Sequence, residues 1–78
     1  MFGLNTKVVI KKSVEKFHYS ETPRYSLVRV LENLRKRGIY GIVRDINKDH
    51  NAVAVQFPKM QDFIWFKAYE LQSLREGR

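Results

Sequence analysis

Downstream of Gly38 apolar and polar positions alternate with a period of two, and just upstream they recur with the period of a helix. In "SLVRVLENLRKRG" the residues Leu27, Val30, Leu31 and Leu34 stand at i, i+3, i+4 and i+7, which is one helical stripe. The pattern predicts a short helix near residues 25–36, and an extended loop holding one helical turn is the competing reading. Thr22 and Pro23 are suited to the first turn, and Gly38 to a left-handed stop. Earlier still, Thr6 to Val14 ("TKVVIKKSV") reads as a strand. It places Val8, Ile10 and Val14 on one face and Lys7, Val9, Lys11 and Ser13 on the other.

Beyond Gly38, "IYGIVRDI" predicts a strand whose internal Gly41 marks a bulge or a close backbone approach. "NKDHN" is a turn by composition. In "AVAVQF" the alternation puts Val53, Val55 and Phe57 inward and Ala52, Ala54 and Gln56 outward. "PKMQD" is a second turn, because Pro58 has no N–H for a central ladder. "FIWFK" is the next strand, with Ile64 and Phe66 in the core and Phe63 and Trp65 on the opposite face. Trp65 lies there either under the 15–37 segment or at the surface as a contact. "AYEL" fits a single 3₁₀ turn, "LQSL" a last short strand, and "REGR" a frayed tail. The expectation is a mainly β fold, a single SH3-like domain over residues 1–78. Its five strands would close a small barrel, with a short helix in the long loop after the first strand.

A chain of 78 residues forms one domain with a small stability margin. It has no cysteine, so neither disulfides nor thiolate metal sites can staple it. The start "MFGLNTKVVIKK" lacks the apolar stretch of a secretory leader, and no apolar run approaches the length of a membrane span. No transmembrane segment of its own is expected. The 15 Lys and Arg against 8 Asp and Glu give a net charge of +7. Such an excess attracts acidic partners: nucleic acid, anionic lipid or an acidic protein face.

Catalytic constellations fail one by one. The serines lack a nucleophile elbow, and no histidine–carboxylate pair is visible. "DINKDHN" begins like a calcium loop, but His50 stands where glycine is needed and Gln56 where a bidentate glutamate is needed. "GIYG" is not a nucleotide clamp, because Gly41 leads into a strand rather than a helix. No enzyme activity, metal or cofactor is expected. Two signals remain. One is the basic run Arg35-Lys36-Arg37 at the helix end, where cations also suit the helix terminus. The other is base interleaved with aromatic residues: Lys16 with Phe17-His18-Tyr19, Arg24-Tyr25, and Trp65-Phe66-Lys67.

Gly41-Ile42-Val43, then Val53-Ala54-Val55-Gln56-Phe57, then Trp65-Phe66 with Glu70-Leu71, form a series similar to that of a known family. The chain resembles the PetP family, small peripheral subunits of the cytochrome b6f complex in cyanobacteria and red-algal plastids, which have an SH3-like barrel. The match covers about half the chain, and its most specific part is the Trp-Phe…Glu-Leu spacing. The sequence departs from the family at Lys67-Ala68-Tyr69, where acidic residues are usual, and in a hairpin without glycines. The resemblance implies a regulatory subunit without a cofactor. It would sit peripherally on the stromal or cytosolic side of the thylakoid membrane and modulate electron flow. The expected partner-binding surface comprises Arg35, Lys36, Arg37, Lys59 and Lys67, with Trp65 as an anchor. It would meet subunits of the complex or another acidic protein surface, with anionic lipid as a further contact. The alternative is a cytoplasmic nucleic-acid- or ribosome-binding SH3-like module.

Overall fold

The computed structural model describes residues 2–14 and 25–74, with the side chains of 25–28 outside the description. In chain order the elements are β1 (Lys7–Ile10), α1 (Tyr25–Arg37), β2 (Tyr40–Asn47), β3 (Ala52–Gln56), β4 (Ile64–Lys67) and β5 (Leu71–Ser73). The five strands form one antiparallel sheet in the order β4-β3-β2-β1-β5. Among the described residues the protein is therefore mainly β with one α-helix in the connection after the first strand, as the periodicities predict. Backbone pairing does not join β4 to β5 among the described residues, so the ladder remains open where the strand count suggests a closed barrel. β5 has only three residues, and these are paired to β1.

β1 is shorter than the alternation suggests. Past Ile10 the backbone leaves the ladder: Lys11 N–H donates to Glu70 C=O at 2.9 Å, and Val14 N–H turns back onto Lys11 C=O at 3.1 Å. The helix stops at Arg37 because Gly38 takes φ 65°. Gly38 N–H then reaches Arg35 C=O at 3.2 Å, and Ile39 N–H reaches Leu34 C=O at 3.1 Å. This pair of bonds satisfies two of the terminal carbonyls of the helix, and only a residue tolerant of positive φ permits it. Of the expected stripe, Leu31 and Leu34 are buried, but Val30 is 40% exposed, so the apolar arc is narrower than the sequence implies. The side chains of Tyr25 and Leu27, the Thr22–Pro23 start, the Phe17–Tyr19 cluster and the tail at 75–78 lie outside the description.

The core is one cluster. Val8 and Ile10 of β1, Val43 of β2, Val53 and Val55 of β3, Ile64 and Phe66 of β4 and Leu71 of β5 meet Leu31 and Leu34 of α1. Phe57 and Phe66 meet edge to face, with ring centroids 6.0 Å apart, a geometry that suits the quadrupoles of both rings.

Ala52 and Ala54 correct the simple alternation. They point away from Val53 and Val55, yet both are fully buried. The register explains it: Ala52 stands opposite Lys67, and Ala54 opposite Trp65. A methyl group beside a long side chain on the same face is covered by it. Trp65 is itself half-buried. It stands opposite Ala54 on the second face of β3.

Gly41 marks a close approach rather than a bulge. A Cβ added there would lie 2.6 Å from a Val55 methyl carbon and 2.8 Å from the Gln56 carbonyl oxygen. The bulge falls three residues later, where the register shifts between Val43 and Asp45 and leaves Arg44 as the extra residue.

Candidate docking surfaces

The basic residues singled out in the sequence fall into separate groups. Arg35, Lys36 and Arg37 occupy the last turn of α1. Arg35 is half-buried, and its guanidinium donates to the Val14 carbonyl. Lys36 and Arg37 are exposed. Arg35 and Lys36 are joined by Lys12, from the turn after β1, to line an open cleft of about 240 Å³. Among the described residues, the helix end and the β1 exit thus place three cations around one cleft. Lys12 is 23 residues from Arg35 in the chain, so no linear motif discloses it.

Lys59 belongs to a second cleft, of about 270 Å³. It sits in the turn after Phe57 with φ 67°, in the left-handed region. Arg44, the bulge residue, and Tyr40 of β2 share this cleft. Arg44 Nε donates to Gln56 Oε1 at 3.0 Å, and its Nη1 to Asn5 Oδ1 at 3.3 Å. Gln56 Nε2 donates in turn to the Met60 carbonyl at 3.3 Å. The Lys7 ammonium lies 5.3 Å from the centre of the Tyr40 ring, within the range of a cation–π contact. Sequence reading missed Arg44 and Tyr40, because a bulge redirects the strand and alternation cannot place its side chains.

Trp65 and Lys67 line neither cleft. Lys67 Nζ donates to the His50 carbonyl at 2.7 Å, so this lysine ties β4 to the β2–β3 turn.

The family-like residues have structural explanations. Phe66 and Leu71 are core, and Trp65 covers Ala54. Glu70 is buried, and its carboxylate accepts the Lys67 backbone N–H at 2.8 Å, closing the 3₁₀ turn Ala68–Glu70. Tyr69, at a position where the chain departs from the family, is 55% exposed.

No group of three or more His, Asp or Glu side chains able to hold a metal ion occurs among the described residues. No helix of the described residues is long and apolar enough to cross a membrane.

No known family, curated protein or solved structure matches this chain.

Proposed function

We propose that the protein is a non-catalytic docking subunit that presents a cationic face to an acidic surface of a larger assembly. The observation that carries this reading is the cleft of Lys12, Arg35 and Lys36, continued along the helix end by Arg37. Arg35 is held in place by the Val14 carbonyl. A guanidinium fixed before binding loses less freedom when a carboxylate or phosphate arrives. Lys36 and Arg37 are exposed and add longer-range attraction.

The similarity to the PetP family supplies the assembly: the cytochrome b6f complex, met on the stromal or cytosolic side of the thylakoid, with electron flow modulated by attachment. The core and capping roles of Phe66, Glu70 and Leu71 support a related fold more than a related docking face. The basic cleft therefore carries the functional argument, and the family similarity names the partner to test.

The test is retention of the purified chain on detergent-solubilised cytochrome b6f complex, run beside titrations of labelled single- and double-stranded nucleic acid. Retention is the expected result. The Lys36→Glu and Arg37→Glu changes should weaken it by about tenfold at low salt and by less at high salt, because exposed charges are screened over about 10 Å at 0.1 M salt. Nucleic-acid binding below about 1 μM with a steep salt slope, and no retention on the complex, would replace this reading with the nucleic-acid one.

A further inference from the structure

The cleft between β2 and the β3–β4 turn differs in kind from the cationic cleft. Its buried floor is apolar: Phe57 is 1% exposed, and Ile42 and Met60 are half-buried. Its exposed rim carries Arg44 and Lys59, with Tyr40 at 43% exposure beside them. No carboxylate lines it among the described residues. An apolar floor beside two cations, of which Arg44 is held by hydrogen bonds, asks for a ligand with the complementary pattern, an apolar side chain flanked by negative charge.

Size narrows the choice. At about 270 Å³ the cleft falls short of the roughly 300–1,000 Å³ of small-molecule and cofactor pockets. It has room for one or two side chains of a partner that extends beyond it. Nucleic acid fits less well. Base stacking needs an open aromatic face, and Tyr40, the exposed aromatic of this cleft, already has the Lys7 ammonium over its ring.

The cleft is also held in shape before any ligand arrives. Arg44 bridges Asn5 and Gln56, and Gln56 bonds the Met60 carbonyl, so the β3–β4 turn is fastened to the bulge of β2. These two bonds use two of the five N–H donors of the guanidinium, leaving three for an incoming carboxylate. Lys59 stands in the left-handed region without being glycine. Such positions persist where the surroundings fix them, and they are common at ligand clamps.

We infer that this cleft binds an extended acidic peptide segment, seating one apolar side chain over Phe57, Ile42 and Met60 while its flanking carboxylates meet Arg44 and Lys59. The site is separate from the Lys12–Arg35–Lys36 cleft, and either can stand without the other.

The probe is a mixture of hexapeptides of pattern Glu-Glu-Φ-Pro-Glu-Glu, with Φ as Leu, Phe or Trp, titrated into the isotopically labelled full chain and followed by NMR. Saturable shifts are expected at Tyr40, Ile42, Lys59 and Met60, with a Kd below about 1 mM, as suits a single short segment. Replacing the glutamates of the probe by glutamines should weaken binding by about tenfold or more, because the charge complementarity is lost. Arg44→Met should weaken it by about fivefold on the same ground. Lys59→Gly, which keeps the left-handed backbone accessible, tests the rim independently if loss of the Arg44–Gln56 bond disturbs the turn. Lys12→Glu should leave peptide binding unchanged even where it abolishes docking at the other cleft. The inference is overturned by absence of shifts at millimolar peptide, by equal binding of the glutamine version, by shifts confined to Lys12 and Lys36, or by displacement of the peptide by an oligothymidylate.

Discussion

The carboxylate of Glu70 accepts the backbone N–H of Lys67 at 2.8 Å while remaining almost fully buried. The main-chain carbonyl of the same residue accepts Lys11 N–H at 2.9 Å. Glu70 thus closes the 3₁₀ turn with its side chain and fastens that turn to the exit of β1 with its backbone. Glu70→Ala removes the acceptor and leaves a donor unmatched, which costs about 1–3 kcal/mol. Glu70→Gln retains an acceptor and should cost less. Urea midpoints of the three proteins check the order; equal midpoints for Ala and Glu would remove Glu70 from the scaffold.

Gly41→Ala should destabilise the fold by about 1–3 kcal/mol, the usual range for overpacking a filled site. The new methyl would stand 2.6 Å from Val55 and 2.8 Å from the Gln56 carbonyl oxygen. A side chain can yield, whereas the carbonyl of a paired strand cannot do so without moving β3. Thermal melting measures the loss, and an unchanged melting temperature would contradict the close approach.

Phe66→Ala should cost about 3–5 kcal/mol, a large part of the roughly 5–15 kcal/mol available to a small domain. The ring is buried and meets Phe57 edge to face. Far- and near-UV circular dichroism should report a chain largely unfolded at room temperature. Retention of the wild-type melting curve would mean that β4 is shifted by one residue.

At Lys59 the sign is reversed. With φ at 67°, a lysine carries a left-handed cost of about 1–2 kcal/mol. Lys59→Gly relieves that cost while adding chain entropy to the unfolded state, so the net change should lie within about 1 kcal/mol of zero or favour folding. Lys59→Val should destabilise, because β-branched residues resist this region most. Denaturant titration of both variants decides it; a stable valine variant would place the turn elsewhere.

The elements of this fold were readable where one period held. The helix, its stop at Gly38, the strands around Val53 and Ile64, and the turn before Leu71 each announce themselves locally. Three features were hidden because they depend on what stands across the sheet. Ala52 and Ala54 appear outward-facing until Lys67 and Trp65 are seen opposite them. The bulge at Arg44 has no residue signature, whereas Gly41, which looks like one, is a packing contact. Val30 belongs to the helical stripe by spacing but lies at its solvent margin. The candidate sites were legible by half. The basic run on α1 and the lysine of the β3–β4 turn stand out in the sequence. Their companions Lys12, Arg44 and Tyr40 arrive from distant positions, and no spacing rule can supply them.

The pairing of β1 with β5 has a consequence for the birth of the molecule. Val8, Val9 and Ile10 find their partners in Ser73, Gln72 and Leu71, some of the last described residues to be synthesised. Until those residues emerge, a growing chain holds β1 with one edge bare and Leu71 missing from the core. The sheet is therefore incomplete until β5 is available to β1, and its assembly includes a long-range closure rather than only local accretion from the amino end.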